Sequence, residues 1–310
     1  MEKEFKTVEE QIKILMSRNI IIRDYNNAYS MLMKNNYYYL VNGYKNLFLD
    51  TKSEEEMYKD NTKIEEIYAL YNFDKKIRIV SLKYLLLIEN EVKTYLAYEF
   101  SKAYGHKNYL ISKNFDNLSS KNSHIQKFID NVESEIQYQY KNSNEMIVHY
   151  LDKYNYIPLW VLVRILSFGK ISIFYSLMKP REQNAICRKY NLKINDFKVI
   201  LHNLTLIRNI CAHDEKLYDV KLKNRIFSTQ YHKKLNIDSK DGNYKFATRD
   251  LFSIVICFKL LLEKDDFESF YVEIINAINE LHEKIEIVKI EDILSKMGFP
   301  KNYKKLTKLS

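Results

Sequence analysis

The string Leu206-Ile207-Arg208-Asn209-Ile210-Cys211-Ala212-His213 gathers three side chains suited to work on a phosphodiester: Arg208, Asn209 and His213. RNA carries its own nucleophile, the 2′-hydroxyl. Cleavage requires removal of that proton, stabilisation of a dianionic phosphorane and a proton for the departing 5′-oxygen. A histidine, with a reference pKa of about 6.5, performs either proton transfer near neutrality. An arginine grips phosphate oxygens in pairs and stabilises the charge that develops on them. Asn209 is placed to orient His213 or to bond the phosphate. The scheme requires no metal and no cofactor.

Phe197, Ile200, Leu201, Leu204 and Ile207 put the string near the end of an amphipathic helix, with Asn195 as its expected N-cap. Asn209 and His213 are four apart and share a face. Arg208 and His213 are five apart and diverge by about 140° on an ideal helix. A regular helix cannot aim both at one small target unless its end deforms. Two copies facing each other across a homodimer remove the difficulty. A structural reading fits the same residues. A helix-terminal histidine caps carbonyls, and R-x4-H recurs by chance. Spacing alone leaves both readings open.

Other constellations are weaker. Glu89 and Lys93 read as an intrahelical ion pair, although an acidic residue on a neighbouring helix would pair with Arg208 and set its pose. Arg225 and His232 repeat the pairing at R-x6-H spacing without a following asparagine, and read as solvated or at most as RNA contacts. Trp160 and Phe168 sit in apolar surroundings and read as core, His202 as structural or surface. From Lys221, Lys223 and Arg225 through Tyr231, Lys233 and Lys234 to Lys245, cations interleave with aromatics. That mix suits looped or single-stranded RNA; a solvated loop is the other reading. Lys301, Lys304, Lys305 and Lys308 lie nearer the solvated reading.

The elements that must position these residues are helical. The 310 residues hold only 5 Gly and 3 Pro, whereas all-β folds lean on many turns rich in both. The net charge of +9 leans slightly towards a polyanion partner, and the abundance of Tyr, Lys, Asn and Ile is also what an AT-rich coding bias would produce. Cys187, Cys211 and Cys257 form neither a disulfide framework nor a zinc motif. No signal-peptide core and no membrane-length apolar run is found, so the expected location is a reducing cytoplasm.

Thr7-Val8-Glu9-Glu10 predicts a capping box and a helix through Leu15; Ser53–Glu56 and Thr62–Glu65 predict two more. A second helix is expected over 26–34, and Gly43 suits a left-handed stop. The clearest helix spans 76–104 and ends at Gly105. Residues 112–145 are polar, with Ser and Asn clusters and a helix around 125–138. Pro158 opens a helix to Leu166, Phe168-Gly169 interrupts it, and another helix runs from 170 to 178, before Pro180. Residues 220–246 are basic and irregular, and 248–286 are helical. The expected organisation is a single domain over 1–310: an N-terminal helical extension (1–75), a helical core (76–286) and a basic C-terminal tail (287–310).

Arg208-Asn209-Ile210-Cys211-Ala212-His213, followed by Lys216-Leu217-Tyr218, resembles the Abi-like pattern R-N-x-C-A-H-x-x-R-L-W. Further blocks fall in the order of that family. They are Gln11 to Arg18, Tyr37-Tyr38 with Gly43-Tyr44, Tyr71 to Arg78, Ile88-Glu89 with Lys93-Thr94, Pro158-Leu159-Trp160 with Ser167-Phe168-Gly169, and Met297-Gly298-Phe299-Pro300. The chain is thus similar to the AbiD/AbiF abortive-infection family, within the HEPN superfamily, and the Tyr37–Lys45 block looks closer to AbiF. The resemblance implies an all-α, HEPN-type helical bundle with additional N-terminal helices and a helical C-terminal extension. It implies catalysis by Arg208, Asn209 and His213. It also implies an endoribonuclease toxin of phage defence, restrained by a structured non-coding RNA and acting on cellular or phage RNA. A non-catalytic RNA-binding protein, or a protein-interaction module sensing phage, are the alternatives. Lys93 and Lys216 stand where the family has Arg, Tyr218 replaces Trp, and Arg164 replaces an acidic residue. Glu215 occupies the place of a tyrosine that is AMPylated in another HEPN class, so that control is not expected.

Overall fold

Apolar residues that recur every turn from Ile64 to Phe100, with a few charged side chains buried among them, make one helix of 41 residues, α3 (Ile64–Tyr104), about 60 Å long. The computed structural model describes residues 4–116 and 122–309. The fold is all-α; among the described residues the only sheet is a two-stranded hairpin. α3 is its spine. Ahead of it, α1 (Val8–Ser17) carries the predicted Thr7/Glu10 capping box, and α2 (Tyr25–Lys34) is capped by Asp24.

After α3 come α4 (Asn122–Lys141), α5 (Glu145–Tyr154), α6 (Leu159–Ile165), α7 (Phe168–Leu177) and α8 (Pro180–Cys187). α9 (Ile194–Ala212) bears the motif. α10 (Gln230–Lys234) precedes the hairpin, β1 (Ser239–Lys240) and β2 (Asn243–Tyr244). α11 (Leu251–Leu261), α12 (Lys264–His282) and α13 (Ile290–Lys296) close the chain. α12, α6, α9 and α8 all pack on α3, and α7 packs on α9. α11 is apolar on nearly every face and buried on nearly every face.

Several expectations need correction. α3 begins twelve residues before position 76, running through the 75/76 boundary. Ser53–Glu56 forms no helix, because the Glu56 carboxylate is held by Arg18 and Lys45. Thr62 caps nothing; its hydroxyl donates to the Lys59 carbonyl, and the helix starts at Ile64. α9 starts after Lys193 instead of Asn195. Gly43 is right-handed, with φ −66°. The break after α6 falls at Leu166-Ser167, where Ser167 caps α7, so Phe168 and Gly169 are already helical. Pro180 opens α8 at its first turn. Phe168 is buried as expected, whereas Trp160 is exposed. The polar cluster at 117–121 lies outside the described residues.

Left-handed turns are built chiefly on asparagine: Asn19, Asn61, Asn108, Asn155, Asn191 and Asn236 all have positive φ. Four of them, Asn19, Asn155, Asn191 and Asn236, stand at helix ends, where glycine is usual. The hairpin turns on Asp241-Gly242, both at positive φ, as a two-residue turn with right-handed strand twist requires.

One buried hydrophobic cluster takes in residues from Ile12 to Leu306. Met297, Phe299, Tyr303 and Leu306 of the lysine-rich tail are buried in it. Gly298 fastens this end. Its φ is +78°, and a Cβ there would collide with the Asp250 carboxylate. Asp250 has little room to retreat, since it caps α11 through Ser253 N–H (3.2 Å) and accepts Ala247 N–H (2.8 Å). Gly298→Ala is expected to lower stability by about 2–4 kcal/mol, through left-handed strain plus overpacking. Denaturant unfolding of the two chains checks this; an unchanged midpoint would refute it.

Candidate active site

α9 delivers the motif to a helix end that is tied down from outside. His213 is the C-cap, its N–H donating to the Asn209 carbonyl (2.9 Å). Asp214 then turns left-handed (φ 59°), and Glu215 N–H reaches back to the Ile210 carbonyl (3.0 Å). This is a Schellman closure with aspartate where glycine is usual. The left-handed conformation costs a side-chain-bearing residue about 1–2 kcal/mol. Arg78 of α3 compensates by donating through Nη2 to Asp214 Oδ1 (2.6 Å).

Arg78 belongs to a buried network. Its Nη1 bonds Asp74 one turn earlier on α3. Asp74 also accepts the Tyr44 hydroxyl (2.7 Å), Tyr218 N–H (2.6 Å) and Leu217 N–H (3.1 Å). Tyr44 and Tyr218 stack with centroids 5.8 Å apart. Burial is the largest influence on the Asp74 carboxyl and raises it; Arg78, Tyr44 and the two backbone N–H groups pull the other way. The loop from 214 to 218 is thereby clamped to the spine. Motif chemistry did not single out Asp74, Arg78, Tyr44 or Asp214. The legible signal was two opposite charges, four apart, inside the apolar stripe of Phe73, Ile77 and Val80.

Arg208 faces α3, with its Nε 3.8 Å from Glu89 Oε2. Glu89 Oε1 pairs with Lys93 at 2.8 Å, so one buried carboxylate serves both cations. At 3.8 Å the Arg208 contact is an ion pair and not a hydrogen bond, and both facing atoms lack a hydrogen-bond partner. Asn209 and His213 lie exposed together. Within one chain, therefore, Arg208 turns towards Glu89 while Asn209 and His213 face outward, as the angular spacing predicts. Cys211 between them is inert: burial pushes its thiol up to about 12. Among the described residues, no group of His, Cys, Asp and Glu is arranged to hold a metal ion.

Residues 30–219 match the Abi-like protein family. The chain belongs to the Abi-like family. The match covers well over half of this Abi-like protein and encloses Tyr44, Asp74, Arg78, Glu89, Lys93 and the α9 motif. No curated protein and no solved structure matches the chain. Membership supports a role in abortive infection, an antiviral defence. No helix among the described residues is long and apolar enough to cross a membrane.

The basic segment lies beyond the matched region and is more ordered than its composition suggests. Asn203 of α9 donates to the Asn224 carbonyl (3.1 Å). Lys223, Lys233 and Lys234 are exposed. Lys221 reaches the Lys296 carbonyl, Arg225 the Tyr244 carbonyl, and Lys245 pairs loosely with Asp238. Two expectations fail here. Tyr231 is buried and offers no ring to a nucleobase. His232 is not solvated but fully buried: its Nδ1 accepts Thr229 N–H (3.1 Å), which puts the proton on Nε2, facing the Ala247 carbonyl (2.8 Å). Its ring stacks on Tyr244.

Two outcomes are expected. Asp74→Ala leaves Arg78 with only Tyr44 and Asp214 and orphans the Leu217 and Tyr218 N–H groups; it should cost about 3–5 kcal/mol, while Asp74→Ala/Arg78→Met should recover part of that loss in thermal unfolding. An unrecovered double variant would show that the charges are not the coupled unit. Burial lowers the His232 pKa. Its stabilising contribution is therefore complete above the unfolded value of about 6.5 and is lost as pH falls towards the folded one. Between pH 7 and 5 the melting temperature of His232→Gln should fall less steeply than that of the parent; parallel slopes would count against this assignment.

Proposed function

We propose that this chain is a metal-independent endoribonuclease toxin of the HEPN type, acting in abortive infection as a homodimer. The observation that carries the reading is the paired presentation of Asn209 and His213 at a helix end braced by Arg78 and Asp74, with Arg208 poised beside it on Glu89. These are the groups that an RNA carrying its own nucleophile needs.

In this reading one His213 removes the 2′-hydroxyl proton as that oxygen attacks phosphorus. Arg208 stabilises the phosphorane oxygens. A second imidazole, protonated, gives its proton to the departing 5′-oxygen. The products are a 2′,3′-cyclic phosphate and a 5′-hydroxyl. The divergence of Arg208 from His213 within one chain favours a site completed by the second copy. Ile79, Leu86 and Leu87, exposed on α3 just before Glu89, offer an apolar surface for that pairing. A structured non-coding RNA restrains the toxin in this scheme, held by exposed cations such as Lys223, Lys233, Lys234 and Lys245.

His213→Ala is expected to slow cleavage of a single-stranded RNA by at least about 100-fold. EDTA should leave the parent activity intact, and a 2′-deoxy residue at the scissile position should abolish it. RNA binding that survives His213→Ala, with no cyclic-phosphate ends from the pure parent chain, would instead make this a non-catalytic RNA-binding protein.

A further inference from the structure

Trp160 is the only tryptophan of the chain, and it is 52% exposed although its neighbours Leu159, Val161 and Leu162 are buried. On α3 across from it, Tyr98 is 61% exposed. The two rings border a groove of about 610 Å³ between α3 and α6, which Lys93, Lys102 and Arg164 also line. No Asp or Glu is among the described residues that line it. Lys102 Nζ lies 5.8 Å from the Tyr98 ring centroid, so charge and ring arrive together. Arg164 donates to the neutral Asn90 side chain (3.1 Å), a contact that positions its charge without cancelling it. Ser101 Oγ, also in the groove, is shielded from solvent and has no hydrogen-bond partner.

We infer that this groove is a binding subsite for single-stranded RNA, with Trp160 and Tyr98 stacking on bases and Lys102 and Arg164 contacting the phosphates between them. Exposed aromatics beside unopposed cations are what a flexible polyanion with flat bases recognises. The chemistry fits an acidic peptide less well, because two large rings would then lack partners. The groove also leads to the candidate site: Lys93 in its wall pairs with Glu89, the residue that holds Arg208. The inference deepens the ribonuclease reading and rests on it only for RNA as the ligand. It explains why Arg164, an unexpected cation at its position, faces outward beside Trp160.

The test uses the full-length His213→Ala chain, which keeps RNA intact, and short oligouridylate and oligoadenylate strands. With a single tryptophan, emission reports on one ring. Saturable quenching of that emission is expected, with binding also followed by anisotropy of labelled RNA. Trp160→Ala, an exposed substitution that leaves the core untouched, should weaken binding about tenfold or more. Arg164→Gln should weaken it too and lower the slope of log affinity against log salt by about 0.7. An abasic ribose-phosphate strand should bind without the quenching. RNA that saturates the protein with unchanged emission, and equal affinity for Trp160→Ala, would overturn the proposal. So would emission that becomes shielded from iodide as protein concentration rises without RNA, which would make the groove a contact between two copies. Parallel product analysis of the parent chain keeps the two ideas apart. Cleavage with a silent Trp160 removes only the groove. Quenching without cleavage removes the nuclease and leaves the groove standing.

Discussion

The ion pair between Asp74 and Arg78, buried one turn apart on α3, governs how the end of α9 is held. Taking two charges out of water costs several kcal/mol per ion, and that cost is offset here only because every member has further partners. Asp74 holds the chain at Leu217 and Tyr218, Arg78 holds Asp214, and Tyr44 bonds both. An apolar pair of similar volume would fill the same space without specifying where the loop after His213 must lie. The pair is best understood as a register device. It converts the position of the spine helix into the position of an exposed imidazole.

Electrostatics beside the motif follow the same economy of parts. A single carboxylate, Glu89, faces Lys93 on its own helix and Arg208 on the next. Arg208 is thus held near its carboxylate without a closed hydrogen bond, and its Nε keeps an unused donor. Its neighbours Asn209 and His213 have no such constraint and stand in solvent. The asymmetry, one group restrained and two presented, is what the proposed homodimeric site would draw on.

Much of this was legible in the amino-acid order. The all-α fold followed from scarce Gly and Pro with long 3.6-residue stripes, and the Thr7/Glu10 box, the Gly105 stop and the Pro158 start lie where their chemistry places them. The motif helix and the angular divergence of Arg208 from His213 were readable from spacing. What could not be read was tertiary. Asp74 looks like a helix breaker until Leu217 and Tyr218, well over a hundred residues away, claim its oxygens. Ser53–Glu56 carries the pattern of a capping box, but Arg18 and Lys45 compete for Glu56 and win. His232 and Tyr231 sit in a basic run that reads as solvated, and only the contacts of Thr229, Tyr244 and Ala247 reveal a packed turn. Trp160 went the other way: an apolar neighbourhood in sequence put it in the core, whereas its place on the short α6 turns it outward.

The unbroken course of α3 has a geometric corollary. Arg78, Glu89 and Lys102 ride on one rigid rod with a rise of 1.5 Å per residue, so the loop clamp, the Arg208 contact and the far cation are spaced along roughly 36 Å by arithmetic alone. Such a rod acts as a yardstick. Inserting or deleting one residue between Glu89 and Lys102 would swing everything beyond it by about 100°, so these stations keep their mutual bearing only if the count of residues between them is kept.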